Sequence, residues 1–294
     1  MSISDPTVLV SCDWLKDRLG TPDIRILDAS WHLPAANRSG RKEFEDEHIP
    51  GALFFDIDEI ADTSSPLPHM MPPAEKFSSR VRKLGIGDGT MVVVYDAYGM
   101  YAAARAWWMF RAMGHENVAV LDGGFLKWRA EGLPVTDATI SPFQRHFTAR
   151  TNWSLVRSFD DVRKALETGS AQIVDARSAA RFSGAEAEPR PGLKCGHMPG
   201  AINLPHASLL RPDGTLKRKD DLARAFADAG IDLKKPVIAT CGSGVSACVP
   251  LLALAVLGHR DGALYDGSWA EWGGREDAPV ATGRVPSAIQ SLHE

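Results

Sequence analysis

The stretch Val237-Ile238-Ala239-Thr240-Cys241-Gly242-Ser243-Gly244-Val245-Ser246, followed by the apolar run 247–257, reads as strand, tight loop and helix. Short runs rich in Val, Ile and Leu recur along the chain and alternate with helical patterns such as 102–113 and 222–229. That alternation specifies an α/β fold, a central parallel sheet with helices on both faces, whose sites form at the carboxyl ends of the strands. Pro250 lies inside the apolar run, where a helix interior would lose a hydrogen bond, so the helix either starts near Ser246 or is kinked.

Working outward, the same order of features occurs twice. An apolar strand 24–27 ends in Asp28, His48-Ile49-Pro50-Gly51-Ala52 follows, and Gly85-Ile86 precedes a strand at 91–95. The second half repeats this with 173–174 ending in Asp175, then His197-Met198-Pro199-Gly200-Ala201, then Gly230-Ile231 before 236–240. Gly114-His115 matches Gly258-His259, and Asp122-Gly123-Gly124-Phe125 matches Asp266-Gly267-Ser268-Trp269. Anchors kept in one order at a nearly constant offset mean a duplicated domain. The expected division is an N-terminal domain 1–136, a linker 137–152 that is polar and aperiodic, and a C-terminal domain 153–294.

The 294 residues carry 33 Lys and Arg against 37 Asp and Glu, a balance that speaks against nucleic acid as a partner. The run 247–257 is too short to span a bilayer, and the N-terminus lacks the basic start and apolar core of an export signal. The expectation is a cytoplasmic protein without a membrane partner, its four cysteines (Cys12, Cys195, Cys241, Cys248) reduced. Cys195 and His197 have no second ligand pair nearby, so no metal site is assigned.

Cys241 is the chemically informative residue. Glycines on either side of Ser243 let the backbone curl so that several N–H groups face one point, and the following helix start adds partial positive charge; a thiol set there is favoured as the thiolate nucleophile. The local offset puts Asp96 at the equivalent position of the first half, which therefore lacks the nucleophile. A duplication with one site lost leaves covalent chemistry to the second half and places the working site between the halves.

The tandem His-x-Pro-Gly-Ala motifs, Asp-Gly-Ser-Trp-Ala-Glu-Trp at 266–272 and Cys-Gly-Ser-Gly-Val-Ser at 241–246 resemble the two-domain rhodanese sulfurtransferases over roughly residues 8–282. Within that family the loop is similar to that of members using 3-mercaptopyruvate, which carry Thr where this chain has Ser246, rather than of those using thiosulfate, whose loop has Arg and Lys after the cysteine. The charge pattern agrees: a compact dianion is best served by cations inside the loop, and Gly242 and Ser243 stand there instead.

The resemblance carries substrate binding to the arginines of Ala180-Arg181-Phe182 and Glu188-Pro189-Arg190, whose planar forks suit the carboxylate and keto oxygen of a 2-oxo acid. It also implies a relay of Asp58, His69 and Ser243 assisting proton transfer, with Asp56 the alternative to Asp58. By itself His69 reads as a polar loop residue beside Pro68, and Arg177 as structural; Trp269 and Trp272 either line the pocket or pack in the core. The loop amides of Gly242, Gly244, Val245 and Ser246 would hold a persulfide on Cys241.

The expected reaction moves sulfur from 3-mercaptopyruvate, a small 2-oxo acid thiol donor, through that persulfide to a thiophilic acceptor such as a small thiol, cyanide or a thioredoxin-like dithiol, and needs no cofactor. The alternatives are a thiosulfate sulfurtransferase or a non-catalytic sulfur-carrier module. A cysteine phosphatase needs an Arg six residues after the cysteine, where this chain has Ala247.

Overall fold

The computed structural model describes residues 8–283. The chain divides into two compact units: residues 8–153 with Leu210–Leu216, and Ser154–Leu209 with 217–283.

In the first unit the strands are β1 (Leu9–Val10), β2 (Ile24–Asp28), β3 (Ala52–Phe54), β4 (Met91–Tyr95) and β5 (Val118–Leu121). They form one sheet in the order β1-β5-β4-β2-β3, with every pairing parallel. The second unit repeats this with β6 (Val156–Arg157), β7 (Gln172–Asp175), β8 (Ile202–Asn203), β9 (Val237–Thr240) and β10 (Ala263–Tyr265), in the order β6-β10-β9-β7-β8. Strand runs such as Val92-Val93-Val94 are wholly buried because helices cover both faces, which is why they read as unbroken apolar segments. The duplicated fold expected from the anchors is therefore present strand for strand.

The His-x-Pro-Gly-Ala motifs have a packing role in both copies. His48 stacks on Phe44 with centroids 4.1 Å apart, and His197 stacks on Phe182 at 3.8 Å; each Nδ1 meets the carbonyl of its own phenylalanine. The segment 137–152, read as a linker, runs along the first unit. Phe147 is buried, its carbonyl accepts from Ser78 Oγ, and Arg150 N–H donates to the Met113 carbonyl. Leu210–Leu216 also joins that unit, with Leu216 N–H donating to Asp122 Oδ1 at 2.8 Å. Among the described residues no helix is long and apolar enough to cross a membrane.

Candidate active site

β7 and β9 are neighbours, yet the chain leaves β7 toward β8 on one side and β9 toward β10 on the other. This is the point in an open parallel sheet where loops diverge and a crevice opens at the carboxyl ends. Asp175 and Thr240 are paired at those ends, so Cys241 is the first residue beyond the sheet.

The helix after the loop runs Cys248–Val256, and all nine residues are buried. Pro250 is its third residue, where no intrahelical partner exists for an N–H and the carbonyl four residues back lies outside the helix; the proline is thus accommodated without a kink. The loop is tied down by 266–272. The carbonyls of Cys241 and Gly242 accept from Trp269 N–H and Ala270 N–H, both at 2.9 Å. Because a trans peptide points its N–H opposite its C=O, the amides of Gly242 and Ser243 are turned away from the helix Ser268–Trp272. Gly244, at φ 76°, then curls the chain in a region that favours glycine. Cys248 Sγ donates to the Gly244 carbonyl at 3.4 Å.

The first unit displays what such a loop does. Asp96, the counterpart of Cys241, turns its carboxylate into its own loop, where Oδ1 accepts from Met100 N–H and Oδ2 from Ala102 and Ala103 N–H, at 2.9–3.1 Å. Burial pushes this carboxyl up to about 7 against the pull of those amides. The amides of this loop converge on the acceptor atoms of its first side chain.

Cys241 is buried, 2% exposed, and its N–H donates to Ser268 Oγ at 3.3 Å. Ser268 is wholly buried at φ 50°, a left-handed conformation unfavourable for a residue with a side chain. Its repeat partner is Gly124 at φ 56°. The second unit thus accepts strain where the first uses glycine, and gains a hydroxyl that bridges the Cys241 N–H and the Tyr265 carbonyl. Sequence reasoning missed Ser268; the signal was there as Asp-Gly-Gly in one repeat against Asp-Gly-Ser in the other.

The two arginines meet the loop. Arg190 Nη2 donates to Ser243 Oγ at 3.2 Å. A Cβ added at Gly242 would sit 2.8 Å from Arg181 Nη2, so the guanidinium lies against the bare face of this glycine. Arg181 is held by Glu188, with Nε at 3.2 Å from Oε1 and Nη2 at 2.5 Å from Oε2. Arg177 Nη1 donates to the same Oε1 at 2.7 Å, while its Nη2 meets Asp175 at 2.6 Å. Arg177 is therefore structural as expected, wholly buried over the Trp269 ring at 4.2 Å; burial acts to lower its pKa, and its two carboxylates more than offset that and raise it. Trp269 and Trp272 are core residues, their indole N–H groups donating to the Lys194 and Pro279 carbonyls.

Asp58 and His69 belong to the first unit and are brought together, Asp58 Oδ1 lying 2.6 Å from His69 Nδ1. Asp58 Oδ2 accepts from Trp31 Nε1, and the Trp31 ring meets the imidazole edge-on at 4.8 Å. His69 has φ 61°, with its carbonyl accepting from the buried Arg105. Asp56 is used elsewhere, capping the helix Ile57–Ile60 and pairing with Arg41, so Asp58 is the histidine's partner.

Comparison with known proteins agrees with this architecture. The model of the rhodanese-like domain matches residues 11–131 and 158–275. Human 3-mercaptopyruvate sulfurtransferase is 43% identical over 270 residues, covering 90% of this chain and 91% of that protein. Mouse thiosulfate sulfurtransferase is 44% identical, with the same shares covered. The crystal structure of SseA from Escherichia coli, described under 3-mercaptopyruvate sulfotransferases, superposes with a TM-score of 0.82 at 41% identity, over 90% of this chain and 99% of that one. With its strand order duplicated and one cysteine loop at the end of β9, the chain belongs to the two-domain rhodanese family of sulfurtransferases.

Proposed function

We propose that this protein transfers sulfur from 3-mercaptopyruvate to a thiophilic acceptor through a persulfide on Cys241. The observation that carries the reading is the pair of arginines on an uncharged loop, with Arg190 bonded to Ser243 and Arg181 against Gly242. Planar guanidinium groups match a carboxylate and an adjacent keto oxygen, and the cysteine lies one or two residues away. Overall identity does not choose the donor, since relatives named for either donor are equally similar.

In the proposed reaction the Cys241 thiolate attacks the thiol sulfur of the donor. The bond from that sulfur to C3 breaks, and its electron pair leaves on pyruvate as the enolate, which then takes up a proton. Loop amides stabilise the charge on the Cys241 persulfide as they do the Asp96 carboxylate in the first unit. A thiolate acceptor, from a small thiol or a thioredoxin-like dithiol, or cyanide then attacks the outer sulfur, and the Cys241 thiolate departs. Ser243, His69 and Asp58 assist the proton transfers in this reading, supported by the Asp58–His69 contact and the Arg190–Ser243 hydrogen bond. A cytoplasmic location completes it, since a nucleophilic thiol suits a reducing compartment.

The test is a donor comparison with one acceptor. A kcat/KM for 3-mercaptopyruvate well above that for thiosulfate is expected. Equal or better use of thiosulfate overturns the reading in favour of the second donor.

A further inference from the structure

The two units differ most usefully between the phenylalanine and the histidine of their stacked pairs. Phe44 and His48 are four residues apart, whereas Phe182 and His197 are fifteen apart. The first unit closes the same stack and the same sheet without the eleven additional residues, so the fold does not require them. This longer segment carries both Glu188 and Arg190.

Glu188 is a carboxylate with a side chain only 2% exposed, an arrangement that persists only when the charge is paired and hydrogen-bonded. Both oxygens are committed: Oε1 to Arg177 and Arg181, Oε2 to Arg181 alone. Arg177 anchors this carboxylate to the core through Asp175, the Gly196 carbonyl and the Trp269 ring. Arg181 is the outer member of the chain, 17% exposed. Its Nε and Nη2 edge is taken by Glu188, and a guanidinium is rigid and planar, so the Nη1 edge is fixed in direction. That edge can meet a second carboxylate while the first holds the plane against Gly242.

We infer that Glu188 is a positioning residue for sulfur-donor binding: it holds the Arg181 guanidinium over the Gly242 peptide so that its remaining edge faces the donor's carboxylate. The inference rests on the proposed role of Arg181 in holding 3-mercaptopyruvate. Glu188 itself does not touch the donor, and its negative charge balances that of Arg181 so that two arginines can lie close together.

The experiment is a double-mutant cycle of Glu188→Gln and Arg181→Ala, read as kcat and KM for 3-mercaptopyruvate. Glu188→Gln is expected to lower kcat/KM by roughly ten-fold, carried by kcat, because removal of a negative charge beside the donor does not weaken its attraction. In the double variant no loss beyond that of Arg181→Ala is expected. Glu188→Asp serves if the glutamine variant fails to fold, since it keeps the charge on Arg177 while withdrawing the carboxylate from Arg181; its loss too should vanish once Arg181 is alanine. Additive losses, or a loss in KM alone, would overturn the positioning role. An unimpaired Arg181→Ala would instead remove the donor-binding reading, an outcome distinct from an impaired Arg181→Ala beside an unimpaired Glu188→Gln, which sinks this inference alone.

Discussion

Arg190 donates from Nη2 to the Ser243 hydroxyl across 3.2 Å, so a cation from the segment unique to the second unit reaches the second residue after the nucleophile. The Arg190 guanidinium and the cysteine loop are thus one hydrogen-bonded object. A change in either of its parts is felt by the other.

Cys241 should carry all of the transferable sulfur. Intact-protein mass after donor treatment should show one added sulfur on the native protein and none on Cys241→Ser. Cys12 is a poor nucleophile, its thiol pushed up to about 12 by burial and Glu131. A label on Cys12, Cys195 or Cys248 would contradict the assignment.

Arg181→Ala and Arg190→Ala should each lower kcat/KM for 3-mercaptopyruvate by roughly ten- to a hundred-fold, the equivalent of about 1.5–3 kcal/mol for a charge-assisted hydrogen bond. Lysine should rescue partly, keeping the charge and losing the fork. The loss should be smaller with thiosulfate, which has no carboxylate. Unchanged kinetics in both alanine variants would take these residues out of the site.

Ser268 allows strain and hydrogen bonding to be separated. Ser268→Ala leaves the backbone at φ 50° and strips partners from the Cys241 N–H and the Tyr265 carbonyl, which should cost about 1–3 kcal/mol. Ser268→Gly loses the same bonds but relieves the left-handed strain, so it should be about 1 kcal/mol more stable than the alanine variant. Denaturant melts of the two variants decide this; an alanine variant at least as stable as the glycine variant would mean the strain is not real.

Asp58→Asn and His69→Ala should depress kcat, whereas Asp56→Asn should leave it near the native value. Asparagine still caps a helix, and the Asp56 pairing with Arg41 is at the surface, so its stability cost should stay within about 1 kcal/mol. Equal activity losses in the two aspartate variants would undo the distinction between them.

Asp28 gives a pH signature to the first unit. Its counterpart Asp175 is paired with Arg177, but Asp28 has Ser30 and Tyr95 as partners, and burial pushes it up to about 6. The folded state therefore holds a proton that the unfolded chain has released, so stability falls as pH rises from about 4 to about 6 and is level above that. Relative to Asp28→Asn, the native protein should lose on the order of 3 kcal/mol across this window. Urea titrations at several pH values measure it, and a pH-independent difference between the two proteins would refute the account.

Much of this molecule is local information. Unbroken Val and Ile runs must be buried on both faces, which specifies parallel sheets, and five anchors in one order specify their duplication. Cys241 between a strand and glycines is likewise readable as a nucleophile, because loop curvature and helix polarity depend on adjacent residues. What the tertiary structure decided are pairings between segments far apart in the chain. Asp58 rather than Asp56 meets His69, because a helix cap already occupies Asp56. Leu210–Leu216 joins the first unit because Asp122 binds its backbone. Arg177 reads in sequence as structural and Arg181 as a donor-binding candidate, but nothing in the sequence joins them through Glu188; only burial turns the three into a network, since a charge removed from water must find its partners wherever the fold brings them.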